Sequence, residues 1–177
     1  MSRKIVNEPT LRQNISWNLD LIAVQVRHAE LAQTRGRSGY YKLAIITSAS
    51  IIEALVHLLL RRHLGADGIV KTGDKECFEC QALPATFNPP GSTLAICRQR
   101  EVTISIDSNP DFGKMNKICF QYKIFTKSIF DNVENVRKIR NKIHLQGLDH
   151  IDRSYTKKDL GKVSKTMEHL LSEVYGQ

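Results

Sequence analysis

The segment Leu43–Leu60 contains the densest run of apolar residues in the chain, and it restricts the folds that the sequence can adopt. Its apolar residues cover most of the circumference of a helix predicted over Gly39–His63. A helix that is apolar nearly all round lies at the centre of a bundle. The segment also carries Thr47, Glu53 and His57, which make it too polar for a membrane span. We therefore predict a mainly α, soluble protein built around this helix.

Three further helical segments are predicted from apolar residues that recur every three or four positions. The first runs from Thr10 to about Thr34, the next covers 111–145 with a break near Thr126, and the last begins at about Thr156. Thr156 and Asp159 have the spacing of a capping box, with Asp in place of Glu. The pattern predicts an up-and-down helical bundle of four to five helices, in a single domain of 177 residues.

Two segments between the helices are predicted to be irregular or extended. Gly36 and Gly39 are expected to form the turn before the central helix, with Ser38 as its N-cap. Residues 66–110 are rich in helix-breaking residues and are expected to form a small β-hairpin insertion. Its two predicted strands start at Leu94 and Val102 and are joined by a polar turn; the segments in order are Leu94–Cys97, Arg98–Glu101 and Val102–Ile106.

The formal net charge of +8 is concentrated in residues 111–148, which contain eight Lys and Arg residues against three acidic ones. A basic surface attracts polyanions such as nucleic acids, although a solvated helix face can have the same composition. The N-terminus lacks the apolar core of a signal peptide. Four cysteines are too few for a disulfide scaffold, which agrees with a reducing compartment. These features predict a cytoplasmic protein.

The segment from Val136 to Gly147 combines residue types suited to RNA chemistry. At about 100° per helical residue, Arg137, Arg140, Asn141 and His144 share one polar face, roughly 100° wide. Arginine binds phosphate through a planar fork, and histidine moves protons near neutral pH. Since the 2′-hydroxyl of RNA can act as the nucleophile, such a set can work without metal. The alternative is an ordinary amphipathic helix, with a histidine that favours the helix dipole.

This segment resembles the signature of HEPN domains, in which an Arg, commonly followed by a polar residue, precedes a His on a late helix. The central helix, with Glu53 after small residues, also resembles the early HEPN helix that carries a Glu. The resemblance covers roughly 10–175, except for 66–110, an insertion that it does not match. HEPN motifs usually have four to six residues between Arg and His. Arg137, with six, fits this spacing, whereas Arg140, with three, is the motif arginine only if the end of the helix shifts to accommodate the tighter spacing.

The resemblance implies a metal-independent endoribonuclease that needs no cofactor and works as a homodimer, with RNA as its partner and no DNA specificity. His144 would be the general acid or base, Arg140 or Arg137 the phosphate clamp, and Asn141 an orienting group. Glu53 would help to position the site, or simply pair with an arginine of a neighbouring helix. Toxin–antitoxin and defence systems use such proteins. The alternative is a catalytically inert HEPN-like module that pairs with a protein partner such as an antitoxin.

The cysteines permit a second, less favoured hypothesis of a structural zinc site. Cys77 and Cys80 have metal-ligand spacing, but the remaining two, Cys97 and Cys119, are 22 positions apart and do not form a second close pair. Cys119 also falls on an apolar helix stripe, which favours a buried thiol. We therefore expect no metal, and whether Cys77 and Cys80 bind zinc stays open.

Overall fold

The computed structural model describes residues 8–64, 69–84, 86, 90–91, 93, 95–105, 111–143 and 154–176. These residues form five helices and one two-stranded antiparallel hairpin, which confirms the mainly α class and the hairpin insertion. In chain order the elements are α1 Glu8–Leu31, α2 Thr34–Leu64, β1 Ile69–Ala82, β2 Ala95–Ser105, α3 Phe112–Gln121, α4 Lys127–Ile143 and α5 Lys157–Tyr175.

Helix α2 forms the centre of the bundle, as its apolar circumference predicts. The helices α1, α3, α4 and α5 all pack on it. Side chains on most of its circumference are buried; the fully buried ones are Ala44, Ile45, Ser48, Ala49, Ile52, Leu55, Val56 and Leu60. The small residues let neighbouring helices approach closely. Each helix that packs on α2 removes apolar surface from water on a different side of it.

Among the described helices, α2 is also the one whose length and composition would allow it to cross a membrane. Within its most apolar 18-residue window, 61% is buried inside the fold. This degree of burial is typical of the core helix of a globular protein, in which neighbouring helices rather than lipid cover the apolar surface.

The start of α2 differs from the predicted one. The helix begins at Thr34, so Gly36 and Gly39 lie inside its first turns instead of forming a turn before it. Ser38 is not an N-cap: its hydroxyl oxygen accepts a hydrogen bond from the backbone N–H of Tyr155, at 2.8 Å, just before α5. A helical glycine costs only about 1 kcal/mol relative to alanine, which the packing of a long helix overcomes.

The predicted break near Thr126 is confirmed. Helix α3 ends at Gln121, and Lys123 then adopts a φ of 57°, which turns the chain. The N–H groups of Ile124 and Phe125 both donate to the carbonyl oxygen of Cys119, at 2.9 and 3.1 Å. The Thr126 hydroxyl then accepts from the N–H of Ile129, at 3.3 Å, in the first turn of α4. The break lets α4 change direction and pack on α2.

The hairpin is larger than predicted, and its turn lies elsewhere. The strands predicted on either side of Arg98–Glu101 are parts of one strand, β2, so the polar turn expected there was wrong. Cross-strand contacts satisfy the polar side chains: Arg98 pairs with Glu79 at 3.1 Å, and the Arg100 guanidinium lies 5.4 Å from the Phe78 ring centroid. Such cross-strand pairs stabilise a segment as a strand although its own composition does not predict one.

The predicted start of the last helix is also confirmed. Thr156 is the N-cap of α5, and its hydroxyl oxygen accepts from the N–H of Asp159. The Asp159 carboxylate accepts in return from the N–H of Thr156, at 3.1 Å. This capping box satisfies backbone donors that the first turn of a helix leaves unpaired.

Candidate functional site

Helix α4 carries three of the five residues predicted to form the site, and its amphipathic pattern decides how they are exposed. Its buried stripe consists of Ile129, Val133, Val136 and Ile143. Arg137 and Arg140 flank this stripe, so 30% and 28% of their side-chain surfaces are exposed. Asn141 is exposed. His144 follows the last described residue of α4 and lies outside the described residues.

Arg140 connects α4 to the central helix. Its Nη2 atom lies 3.2 Å from Oε2 of Glu53 on α2, and 29% of the Glu53 side chain is exposed. Two residues that are 87 positions apart in sequence, both predicted from the sequence to belong to the site, are therefore brought together. The ion pair holds the Arg140 guanidinium near the C-terminal end of α4 and restricts its orientation.

Arg137 is held by a carboxylate on its own helix. Its Nε and Nη2 atoms donate to the two oxygens of Glu134, at 2.8 and 2.6 Å. Hydrogen bonding from Arg137 lowers the pKa of Glu134, and the same bond raises the pKa of Arg137. Sequence reasoning missed Glu134 as a site residue, although a carboxylate three residues before an arginine is a recognised helical pair.

The two arginines face different neighbours. Arg137 lies against the start of α3, where a Cβ atom added to Gly113 would be 3.4 Å from both Cδ and Nε of the arginine. Arg140 instead faces Glu53 of α2. The polar face predicted from the helical wheel is therefore a pair of arginine–carboxylate contacts at the edge of α4. Each guanidinium is partly exposed and can exchange its carboxylate for a phosphate only if the phosphate competes successfully.

The cysteines are not gathered into a metal site. Cys80 and Cys97 form a disulfide between β1 and β2, a pairing that the sequence did not predict. Cys77 is exposed, and Cys119 is buried on α3 as its apolar stripe predicted. Within the described ranges, no three His, Cys, Asp or Glu side chains are placed to hold a metal ion. Burial raises the pKa of the Cys119 thiol to about 12.

Thiol labelling of the purified protein should reveal this arrangement directly. Without reductant, the folded protein is expected to react with a maleimide at Cys77 alone, because Cys119 is buried and stays protonated. Unfolding should add a label on Cys119, and subsequent reduction should add labels on Cys80 and Cys97. Mass spectrometry counts the labels, and Cys77→Ser should remove the label of the folded state. Four labels on the unfolded, unreduced protein would contradict the disulfide.

A second polar surface of α4 faces α5. Two cavities, of about 420 and 310 Å³, lie between these helices and share Asn132, Lys162 and Thr166 as lining residues. The larger is also lined by Lys138 and Lys142 of α4. The sequence showed the charge of this segment but not this groove, since α5 supplies half of it.

No protein-family profile, no curated protein and no solved structure matches the chain. The site is therefore interpreted from its residues and geometry.

Proposed function

We propose that the protein is a HEPN-like, metal-independent endoribonuclease whose site lies at the C-terminal end of α4. The observation that carries the proposal is the contact of Arg140 with Glu53, at 3.2 Å, beside the exposed Asn141. His144, four positions after Arg140 in the sequence, lies outside the described residues. A cationic fork, an amide and an imidazole within five residues of sequence are the groups that metal-free RNA cleavage requires. The resemblance of this segment and of α2 to HEPN domains supports the same reading.

The proposed reaction is an internal transfer at one phosphodiester. The RNA 2′-oxygen attacks the adjacent phosphorus as His144 accepts the hydroxyl proton; the bond from phosphorus to the 5′-oxygen breaks, and that oxygen is protonated on leaving. The products are a 2′,3′-cyclic phosphate and a 5′-hydroxyl. Arg140 would stabilise the charge on the phosphoryl oxygens, and Asn141 would orient a reacting group.

Glu53 has a positioning role in this proposal. An arginine loses rotamer freedom when it is ordered, so a side chain that is already fixed binds phosphate at a lower entropic cost. Glu53 needs only one oxygen to hold Nη2 of Arg140. Because 28% of the Arg140 side chain is exposed, the guanidinium stays accessible from solvent.

Substitution of Arg140 tests the phosphate clamp. Arg140→Ala is expected to lower the rate of RNA cleavage in EDTA by roughly 10²–10³-fold, the loss typical of one charge-stabilising donor. Arg140→Lys keeps a charge beside Glu53 but lacks the fork, so we expect a substantial loss with little change in stability. Lys157→Ala, an exposed cation on α5, is the control and should cleave normally. Equal activity of Arg140→Ala and the control would remove Arg140 from the site.

The second candidate function is a catalytically inert HEPN-like module that binds a protein partner such as an antitoxin. The observation that favours it is the bidentate bond between Arg137 and Glu134, which occupies the guanidinium edge that would bind phosphate. An arginine used only for structure is expected to be paired in this way. In this reading the ion pairs of α4 stabilise the fold, and RNA is not a substrate.

Glu134→Gln separates the two candidates at Arg137. The substitution removes the charge that competes with phosphate, so an RNA-binding Arg137 should gain a phosphate contact. The slope of log affinity against log salt should then steepen by roughly 0.7 for single-stranded RNA. Arg137→Ala should produce no such gain. An unchanged slope in Glu134→Gln would exclude Arg137 as a clamp and leave Arg140 as the motif arginine.

Assembly and location belong to the same proposal. A homodimer would bring two copies of the basic 111–148 segment to one RNA and is measured by sedimentation. We place the protein in the cytoplasm; the Cys80–Cys97 disulfide is the observation that counts against this location, because disulfides are rare in a reducing compartment.

A further inference from the structure

The groove between α4 and α5 is a basic surface separate from the arginine face. Lys138 and Lys142 line it from α4, and Lys162 and Lys165 line it from α5. On a helical wheel, the two α4 lysines lie roughly 100–140° from Arg137. A ligand in the groove therefore contacts a different face of α4 from a ligand at Arg137 and Arg140.

The charge of this groove is not compensated in the way that the arginines are. Within the described part of the chain, none of these four lysines is in an ion pair, and all four are exposed. Among the described residues, the one carboxylate that lines the groove is Asp159, which accepts hydrogen bonds from Thr156 in the capping box. His169 lines the end of the smaller cavity and lies 3.6 Å from Glu173. Four exposed lysines that line one groove, none of them in an ion pair with another described residue, attract polyanions.

The spacing and type of the polar groups indicate which polyanion fits. Lys138 and Lys142 are separated by roughly 6 Å along α4, and Lys162 and Lys165 by roughly 4.5 Å along α5. Ammonium groups that are arranged in rows on flexible side chains suit repeated phosphates better than a single planar anion. Asn132 and Asn135 of α4 add hydrogen-bonding amides. Aromatic side chains are missing from the described lining, which favours contact with the backbone over stacking of bases.

We propose that this α4–α5 groove binds the phosphodiester backbone of single-stranded nucleic acid. The inference does not require that the arginine face cleaves RNA, since it rests on other residues. If both hold, the groove retains a strand that runs past the end of α4. Lysine contacts to phosphate give affinity with little sequence preference and a strong dependence on salt.

Fluorescence polarisation with labelled oligouridylate, measured over a series of KCl concentrations, tests the groove. The variant replaces Lys138 and Lys162 by alanine, one from each side. Its control replaces Lys114 and Lys157, which are exposed elsewhere and change the net charge equally. We expect the groove variant to bind more weakly than the control. The slope of its log affinity against log salt should be less steep by roughly 1.4, as the loss of two phosphate contacts requires. Equal affinity and slope in the two variants would overturn the proposal.

Two further measurements identify the ligand and distinguish binding in the groove from the proposed cleavage. Oligodeoxythymidylate that binds as well as the RNA would assign recognition to the phosphodiester, while a preference for RNA would add contacts to the 2′-hydroxyl. If polyglutamate binds as well as the RNA, and if its binding is also lost in the groove variant, the result would contradict a nucleic-acid site and indicate an acidic protein partner. Arg140→Ala should keep the groove's binding, so failure of cleavage and failure of the groove give different results.

Discussion

Replacing His144 by alanine is expected to lower the rate of RNA cleavage in EDTA by roughly 10²–10⁴-fold, the usual contribution of one general acid or base. The reason is chemical: alanine cannot accept the proton of the 2′-hydroxyl or return one to the leaving oxygen. The measurement is a single-turnover rate with a short labelled RNA, because this reports the chemical step and not product release. The affinity of the protein for RNA should change far less than the rate.

The control for this variant is another histidine of the same chain. His169 lies on α5 beside Glu173 and is exposed, so His169→Ala removes an imidazole without touching the predicted motif. Circular dichroism of both variants checks that the helices are retained. If His144→Ala cleaves RNA as fast as His169→Ala, the assignment of the motif fails even where the protein is a nuclease.

The largest effect on stability is expected from Leu55→Ala. Leu55 is fully buried on α2, and removal of a buried leucine leaves a cavity that costs about 2–5 kcal/mol in the free energy of unfolding. The midpoint of urea denaturation, with the slope unchanged, measures this loss. Leu43→Ala is the matched control, because this leucine is on the same helix with 49% of its surface exposed. We expect it to change stability by less than about 0.5 kcal/mol.

A similar loss in Leu43→Ala and Leu55→Ala would contradict the central position of α2. The sequence strongly predicted this central position, because a helix that is buried all round has apolar residues all round its circumference. The apolar stripe of α1 and the capping box of α5 were predictable for related reasons: both depend on residues three or four positions apart, which local periodicity reveals.

The hairpin was harder to predict because its partners are distant in sequence. Arg98 and Glu101 have the polarity of a turn, and local reasoning assigned them to one. In the structure they lie within β2, where β1 supplies a carboxylate and an aromatic ring to the arginines. The Cys80–Cys97 bond was missed for the same reason, since strand register rather than cysteine spacing brings these residues together.

The positions of Arg137 and Arg140 on α4 were predictable from the sequence, but their ion pairs were less so. Periodicity placed the two arginines on a polar face, and the resemblance of the central helix to HEPN domains suggested a role for Glu53 near them. The alternative that Glu53 pairs with an arginine of a neighbouring helix is confirmed, but the sequence could not show which arginine, because this depends on how α2 and α4 cross. The pairing of Arg137 with Glu134 was missed. It also could not show which lysines have no ion-pair partner among the described residues, and these define the second basic surface of α4.

The proposed activity is metal-free cleavage of RNA by attack of the 2′-hydroxyl. The most direct measurement is incubation of the purified wild-type protein with RNA in EDTA, followed by identification of the product ends by mass spectrometry. The account predicts fragments that end in 2′,3′-cyclic phosphates, and no cleavage where the 2′-oxygen is methylated. Intact RNA after incubation with the folded protein, or products with 3′-hydroxyl ends that form only with a divalent metal, would contradict it.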